Sequence, residues 1–513
     1  REKSMNFVAF LLALLPIVWL IIAMMVLKWA TWKAALGSAV IAALEALLIW
    51  KTPATVVGMA ALEGICMALW PIVLVIVAAV FTYNLVCKTG GMDVIKSMIT
   101  SVSSDKRVLV LLVAWCFGGF MEGMAGFGTA IAIPAGMLMG MGFNPLFSCL
   151  VCLIANGIPT PWGSIGIPTV TLANVVGFDS TIQLSTMQSL QSAFFMILCP
   201  ILIVMVTGGG WKAMKGMWGI TLASGISFVI PMIAVSYFIG AELVVVIGSV
   251  CSLLVTVLMA KRVKPNPEYE MDLPKKETHV TLKEALVAVA PFLFIFVFLL
   301  GTSKLVPPVN SFLNQFATTV YFVNEESGTT FSWINTAGVW IFLSAILGGI
   351  IQKASFEDFK SVFLATLKQM TGSIYVMLAV LACAKIMIYS GMIGDIAKFA
   401  IAVTGSFYPF FAPWLGCLGT FVTGSGTSSG VLFGKVQLDA ALALNMDKYW
   451  IVGLNSLGVG AGKMLSPQSL AIALSAVDGT GEDSKLMKMI LPYGAAYLAL
   501  MSVLAYVGTL LIH

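Results

Sequence analysis

Seven ionisable side chains stand inside the long apolar stretches of this chain: Glu45, Glu63, Glu122, Lys385, Lys435, Asp439 and Lys463. A charge at the centre of a membrane helix costs about 2.5–3.5 kcal/mol on insertion scales, so each needs a partner or a task. Lys435 and Asp439 are four residues apart and pair on one helix. Glu45 and Glu63 lie near helix ends, where a structural role suffices, and Lys385 is placed to snorkel toward the external side. Glu122 and Lys463 remain, each beside a glycine-rich break. A lone acid there can exchange a proton, and a lone base can hold an anion; a plain structural salt bridge is the alternative. The two histidines, His279 and His513, fall in a loop and at the last residue, so no imidazole serves a proton relay, a zinc site or a Ser–His nucleophile at membrane depth. An enzyme is not expected.

The elements that must position these residues are membrane helices. Of 513 residues, 59% are hydrophobic and 10% charged, with a mean hydropathy of +1.00. A soluble domain carries about 25% charge. The apolar runs are continuous, which excludes a β-barrel. The net charge of +5 comes without a basic, aromatic-interleaved patch, so nucleic acid is excluded as a partner and the lipid bilayer is the expected one. The nine cysteines lie mostly inside apolar runs, and Cys149/Cys152 read as helix packing. The run from Asn6 to Leu27 reads as a retained first span. "GVGAGKM" (458–464) lacks the Ser/Thr that a phosphate-binding loop requires.

Two stretches, 107–142 and 408–443, are too long for one crossing and too short for two. Both break at glycines, in Gly123–Gly128 and Gly424–Gly430. Each is expected to be a re-entrant hairpin, which is tolerated where protein or a cavity surrounds its tip. With two non-crossing hairpins, eighteen Lys and Arg gather on one side, against Arg1, Lys3, Lys51, Lys304, Lys398 and Lys448 on the other. The first side is then cytoplasmic. The expectation is an all-α integral membrane protein of twelve transmembrane helices plus two re-entrant hairpins, multi-pass, with both termini external.

The second half repeats the first. Thr89-Gly-Gly-Met92 recurs as Tyr389-Ser-Gly-Met392, Glu122-Gly123 aligns with Thr423-Gly424, Asn156 with Asn455, Gly163 with Gly462 and Pro168 with Pro467. Each hairpin is followed by an interrupted helix, "NGIPTPWGSIGIP" (156–168) or "NSLGVGAGKMLSP" (455–467). The hairpins open to opposite sides, so the repeat is inverted, as in secondary transporters. The expected division is a first helix in 1–32, a first repeat in 33–207, connecting helices in 208–333, and a second repeat in 334–513. The connecting region includes a basic cytoplasmic loop at 260–283 and an external loop at 305–333. Helix breaks expose N–H groups and partial positive charge suited to a carboxylate, although a single break is equally a packing kink. Opposite Glu122 stands Thr423, and opposite Lys463 stands Ser164.

The segments "GFMEGMAGFGTA" (119–130), "FVTGSGTSS" (421–429) and "AGKMLSPQSLAIA" (461–473) resemble the signatures of the bacterial lactate permease family, and the resemblance covers nearly the whole chain. It implies a carrier of L-lactate, D-lactate or glycolate coupled to protons, in the bacterial cell membrane. It also implies a fold like the ion-transporter superfamily, with elevator motion and often a homodimer. On that footing Lys463, the hydroxyls of Thr423, Ser425, Thr427 and Ser428, and hairpin N–H groups are expected to hold the carboxylate, helped by Asn156, Asn455 and Ser466. Met124 and Phe127 would contact the short carbon chain, and Glu122 would carry the proton. No cofactor is expected beyond the coupling ion. The alternative is a sodium-coupled carboxylate symporter with sodium at Asn156 and Asn455.

Overall fold

The computed structural model describes residues 2–512 except 125, 127, 273–279, 303–304, 326–327, 478 and 480–481. It is helical almost throughout. Among the described residues eight helices are long and apolar enough to cross a membrane, or nine if the bent pair Pro145–Gly157 and Thr160–Val176 is one span. Large apolar side chains point outward along them, including Leu62, Ile230, Val297 and Val507. Such extended apolar surface needs a lipid or protein cover.

Both glycine-broken stretches fold back on themselves. In the first, Lys106–Val110, Leu111–Phe117 and Gly118–Met124 run on as one helix, which returns as Thr129–Gly140. Gly118 faces Ala130 and Pro134 across the fold, and Gly128 turns the chain at φ +88°. In the second, Tyr408–Thr423 returns as Gly426–Ala443 through Gly424 at φ +67°. Ser429 Oγ donates to the Gly416 carbonyl at 2.8 Å, and Tyr408 donates to Gln437 at 2.8 Å. A left-handed turn at the tip is what glycine supplies without steric cost.

The helix after each hairpin is interrupted, but differently. Pro145–Gly157 begins at Asn144, whose side chain accepts from the Phe147 N–H, and bends by 66° into Thr160–Val176. Inside the bend Ser164, Ile165 and Gly166 are left-handed, at φ +46°, +57° and +76°. A β-branched residue in that region is a genuine outlier, of the kind that gathers at functional sites. Lys448–Leu465 instead stops at one extended residue, Ser466, before Pro467–Ser475. The residue before a proline is driven out of the helical region, which accounts for the stop.

Glycines bring these elements together. Gly416 lies on the Asn455 carbonyl, Gly458 on the Pro413 carbonyl and Gly157 on the Gly460 carbonyl, with no room for a Cβ. A second group of helices packs against this one. Thr31–Leu48 and Ala54–Met67 lie along the long helix Phe356–Ser390, and Ala337–Ile351 along Leu74–Lys88.

The fold is helical as expected, with one addition: the loop at 305–333 holds, besides a short helix, Pro307–Asn314, an antiparallel pair, Ala317–Val320 with Thr329–Ser332. The threonine, valine and phenylalanine in these segments suit strands. Lys385 does not snorkel. Its ammonium donates to Glu63 at 2.9 Å in a buried ion pair, and Thr329 donates to the same carboxylate oxygen at 2.7 Å. Lys435 and Asp439 do pair, at 2.9 Å.

Candidate functional site

The hairpin tips meet the helix breaks in a reciprocal pattern. Each tip carries two glycines one residue apart. Gly126 abuts Ser164 and Gly424 abuts Gln468, each in the break of its own half. Gly128 abuts Ile472, in the helix that follows the break of the other half, and Gly426 abuts Val459 of its own half and Thr160 in the break of the other. Four interruptions thus converge on one place.

There they enclose a cavity of about 280 Å³. The first half supplies Glu122, Thr160, Gly163 and Ser164; the second supplies residues 423–427, Lys463 and Gln468. The remaining wall is Trp32 together with Gln369, Gly372, Ser373 and Met377 of Phe356–Ser390. Gln369 is held from behind by Asn84, whose amide donates to its carbonyl at 2.9 Å. Trp32 leans on Tyr375 with ring centroids 5.8 Å apart.

Lys463 is buried, and its ammonium donates to the Gly424 carbonyl at 2.9 Å. That is its one hydrogen bond among the described residues, out of three available donors. Ser425 caps Gly426–Ala443 by accepting from the Ser428 N–H at 3.2 Å. The N–H groups of Gly426 and Thr427, next to Lys463 on the cavity wall, have no partner among the described residues. An ammonium beside free amides at a helix N-terminus is chemically suited to a carboxylate.

Glu122 is buried on the other side. One carboxylate oxygen accepts from the Asn156 amide at 2.6 Å, and the other lies against Gly163, where a Cβ would collide with it. Glu122 and Lys463 line the same cavity but form no ion pair among the described residues. The plain salt-bridge reading of the two is thereby set aside.

The other expected site residues divide. Thr423, Ser425 and Thr427 line the cavity, although Thr423 spends its hydroxyl proton on the Gly419 carbonyl at 2.7 Å. Ser428, Ser466, Asn455 and Met124 are buried outside the lining. Asn455 accepts from Gln437 at 3.3 Å, within the packing of the second hairpin. Asn156 reaches the cavity through Glu122. Phe127 lies outside the described residues. Sequence reasoning missed the wall from Phe356–Ser390. Its signal was present as Gln369, Gly372 and Ser373, a polar and small stripe at helical spacing within an apolar run.

The family model for L-lactate permease matches residues 9–512. The chain is 42% identical to the L-lactate permease of Streptococcus iniae, over 86% of this chain and 92% of that protein. It is 35% identical to the L-lactate permease of Escherichia coli (strain K12), over 98% and 97%. It is 32% identical to the glycolate permease GlcA of the same strain, over 97% and 96%. With acid, base and broken helices in one cavity and the match running almost end to end, the chain belongs to the L-lactate permease family, a family of membrane transport proteins and not of enzymes.

Proposed function

We propose that this protein imports L-lactate, and related 2-hydroxy monocarboxylates such as D-lactate or glycolate, by proton symport. The observation that carries the reading is that Glu122 and Lys463 line one cavity without pairing, beside unpartnered N–H groups of Gly426 and Thr427. The names of the relatives support the substrate class. Lys463 and those N–H groups take the carboxylate, with Ser425 and Thr427 near it.

Proton coupling follows from charge balance. In the empty carrier ionised Glu122 offsets Lys463; in the loaded carrier Glu122 is protonated and lactate offsets Lys463. Lactate without a proton, or a proton without lactate, leaves one uncompensated buried charge, at a cost of several kcal/mol. Only the balanced forms cross. The hairpins are re-entrant in an inverted repeat of twelve spans with external termini. The hairpin-bearing group carries the site past the wall formed by Phe356–Ser390 in an elevator movement.

The test is uptake of labelled L-lactate into proteoliposomes that are alkaline inside, with a pH dye following proton entry. Lactate and protons entering together, unchanged when choline replaces sodium, is the expected result. Sodium-dependent uptake without proton movement would overturn it.

A further inference from the structure

Asn156 makes one hydrogen bond with its side-chain amide and leaves the other end empty. Its Nδ2 donates to Glu122 at 2.6 Å. Its Oδ1 is buried and has no partner among the described residues. A buried acceptor without a donor costs about 1–3 kcal/mol. Nothing in the packing requires that cost, because Asn156 is nearly fully buried in an apolar helix where leucine would fit the pattern.

The position is held from two sides. Thr160 donates its hydroxyl to the Asn156 carbonyl at 2.8 Å, and the adjacent Gly157 lies on the Gly460 carbonyl where the two broken helices cross. The backbone is fixed, while the amide is free to turn about its last torsion. A carboxylate accepts only; a carboxylic acid also donates through its hydroxyl. The amide offers a match for each form: Nδ2–H toward the ionised acid, and Oδ1 toward the protonated acid after half a turn.

We infer that Asn156 is a positioning residue for the proton site, an amide that turns over as Glu122 gains and loses its proton and keeps the carboxyl hydrogen-bonded in both forms. This rests on the reading of Glu122 as the proton carrier. Lys463 is the charged group facing Glu122, from the second half. The elements packed around Glu122, Thr129–Gly140, Pro145–Gly157, Gly163–Val176 and Val244–Ala260, carry no amine or further carboxylate, only the thiols of Cys149, Cys152 and Cys251. Asn156 is thus the hydrogen-bond donor to the acid among the described residues. Among the same residues its counterpart Asn455 has no acid to serve; there the amide oxygen accepts from Gln437 and Nδ2 is the unpartnered end.

The experiment is infrared difference spectroscopy on the full-length protein in lipid discs, stepping pH and recording the carboxylic-acid carbonyl band, alongside pH profiles of lactate accumulation in proteoliposomes. Glu122→Gln identifies the band: its disappearance assigns it to Glu122, and its persistence would refute Glu122 as the proton carrier, independently of Asn156. Given that assignment, Asn156→Leu keeps the band but shifts its frequency. It also displaces half-maximal accumulation upward by about one pH unit, a tenfold change in proton affinity, because the charge-assisted bond lost from the ionised acid outweighs the neutral bond lost from the protonated one. Asn156→Gln, which keeps the amide, recovers part of both shifts. Size-exclusion profiles confirm that each variant is folded. A band and pH profile unchanged in a folded Asn156→Leu protein would overturn the inference while leaving Glu122 its role. If Asn156→Leu does not fold, Asn156→Ala, which also removes the amide, decides: a band at the wild-type frequency with an unmoved profile contradicts the inference, and a shift in both supports it.

Discussion

Two of the acid–base couples buried among the described residues are built in opposite ways. Glu63 and Lys385 touch at 2.9 Å, Thr329 also donates to Glu63, and the pair ties Ala54–Met67 to Phe356–Ser390. Glu122 and Lys463 face one cavity, yet each bonds a neutral group, the Asn156 amide and the Gly424 carbonyl. A closed pair has spent its charge on holding helices together. On the proposed function, a couple held apart keeps both charges for a visitor that can complete them, so that contact marks the structural pair and separation the working one.

Breaking the closed pair gives the largest expected effect. Lys385→Met strands Glu63 in the protein interior and lowers stability by about 3–5 kcal/mol, read as a fall in the thermal unfolding midpoint of the purified protein. Adding Glu63→Leu returns most of the loss, since two apolar side chains replace the pair without leaving a charge behind. In the open couple the order reverses. Lys463→Met takes one hydrogen bond from Gly424 and changes stability by about 1.5 kcal/mol or less. It removes charge-assisted bonds to the substrate worth about 1.5–3 kcal/mol, so labelled-lactate binding weakens about 10–100-fold.

Two glycines sharpen the same contrast between packed and open regions. Gly458→Ala pushes a Cβ into the Pro413 carbonyl and costs about 1–3 kcal/mol of stability. Gly372→Ala, on the cavity wall with nothing within 4 Å of its Cβ, is neutral or slightly stabilising by the same thermal assay. The smallest effect belongs to the half-exposed Lys435–Asp439 pair, where Lys435→Ala changes stability by about 0.5 kcal/mol or less and leaves uptake intact.

Much of this was legible in the chain, for identifiable reasons. A glycine cluster in the middle of an overlong apolar run has few meanings other than a fold-back. The acid and base stood out because burial makes every charge conspicuous. Their shared cavity followed from the recurrence of the same breaks some 300 residues apart. Partnership was not legible. Nothing in spacing says that Lys385 belongs to Glu63, 322 residues away, or that Asn156 donates to Glu122. The left-handed run at Ser164–Gly166 was hidden as well, because serine and isoleucine give no local sign of that conformation and the surrounding packing imposes it. The cavity wall from Phe356–Ser390 belongs to an unbroken helix, so the search for breaks passed over it.

The most direct measurement concerns Glu122→Gln in proteoliposomes, with lactate–lactate exchange and proton-driven accumulation followed in the same vesicles. A neutral amide mimics the protonated acid, so the substituted carrier stays balanced only when loaded. The account predicts that exchange persists while accumulation against a gradient is lost. Accumulation at the unsubstituted level would contradict it.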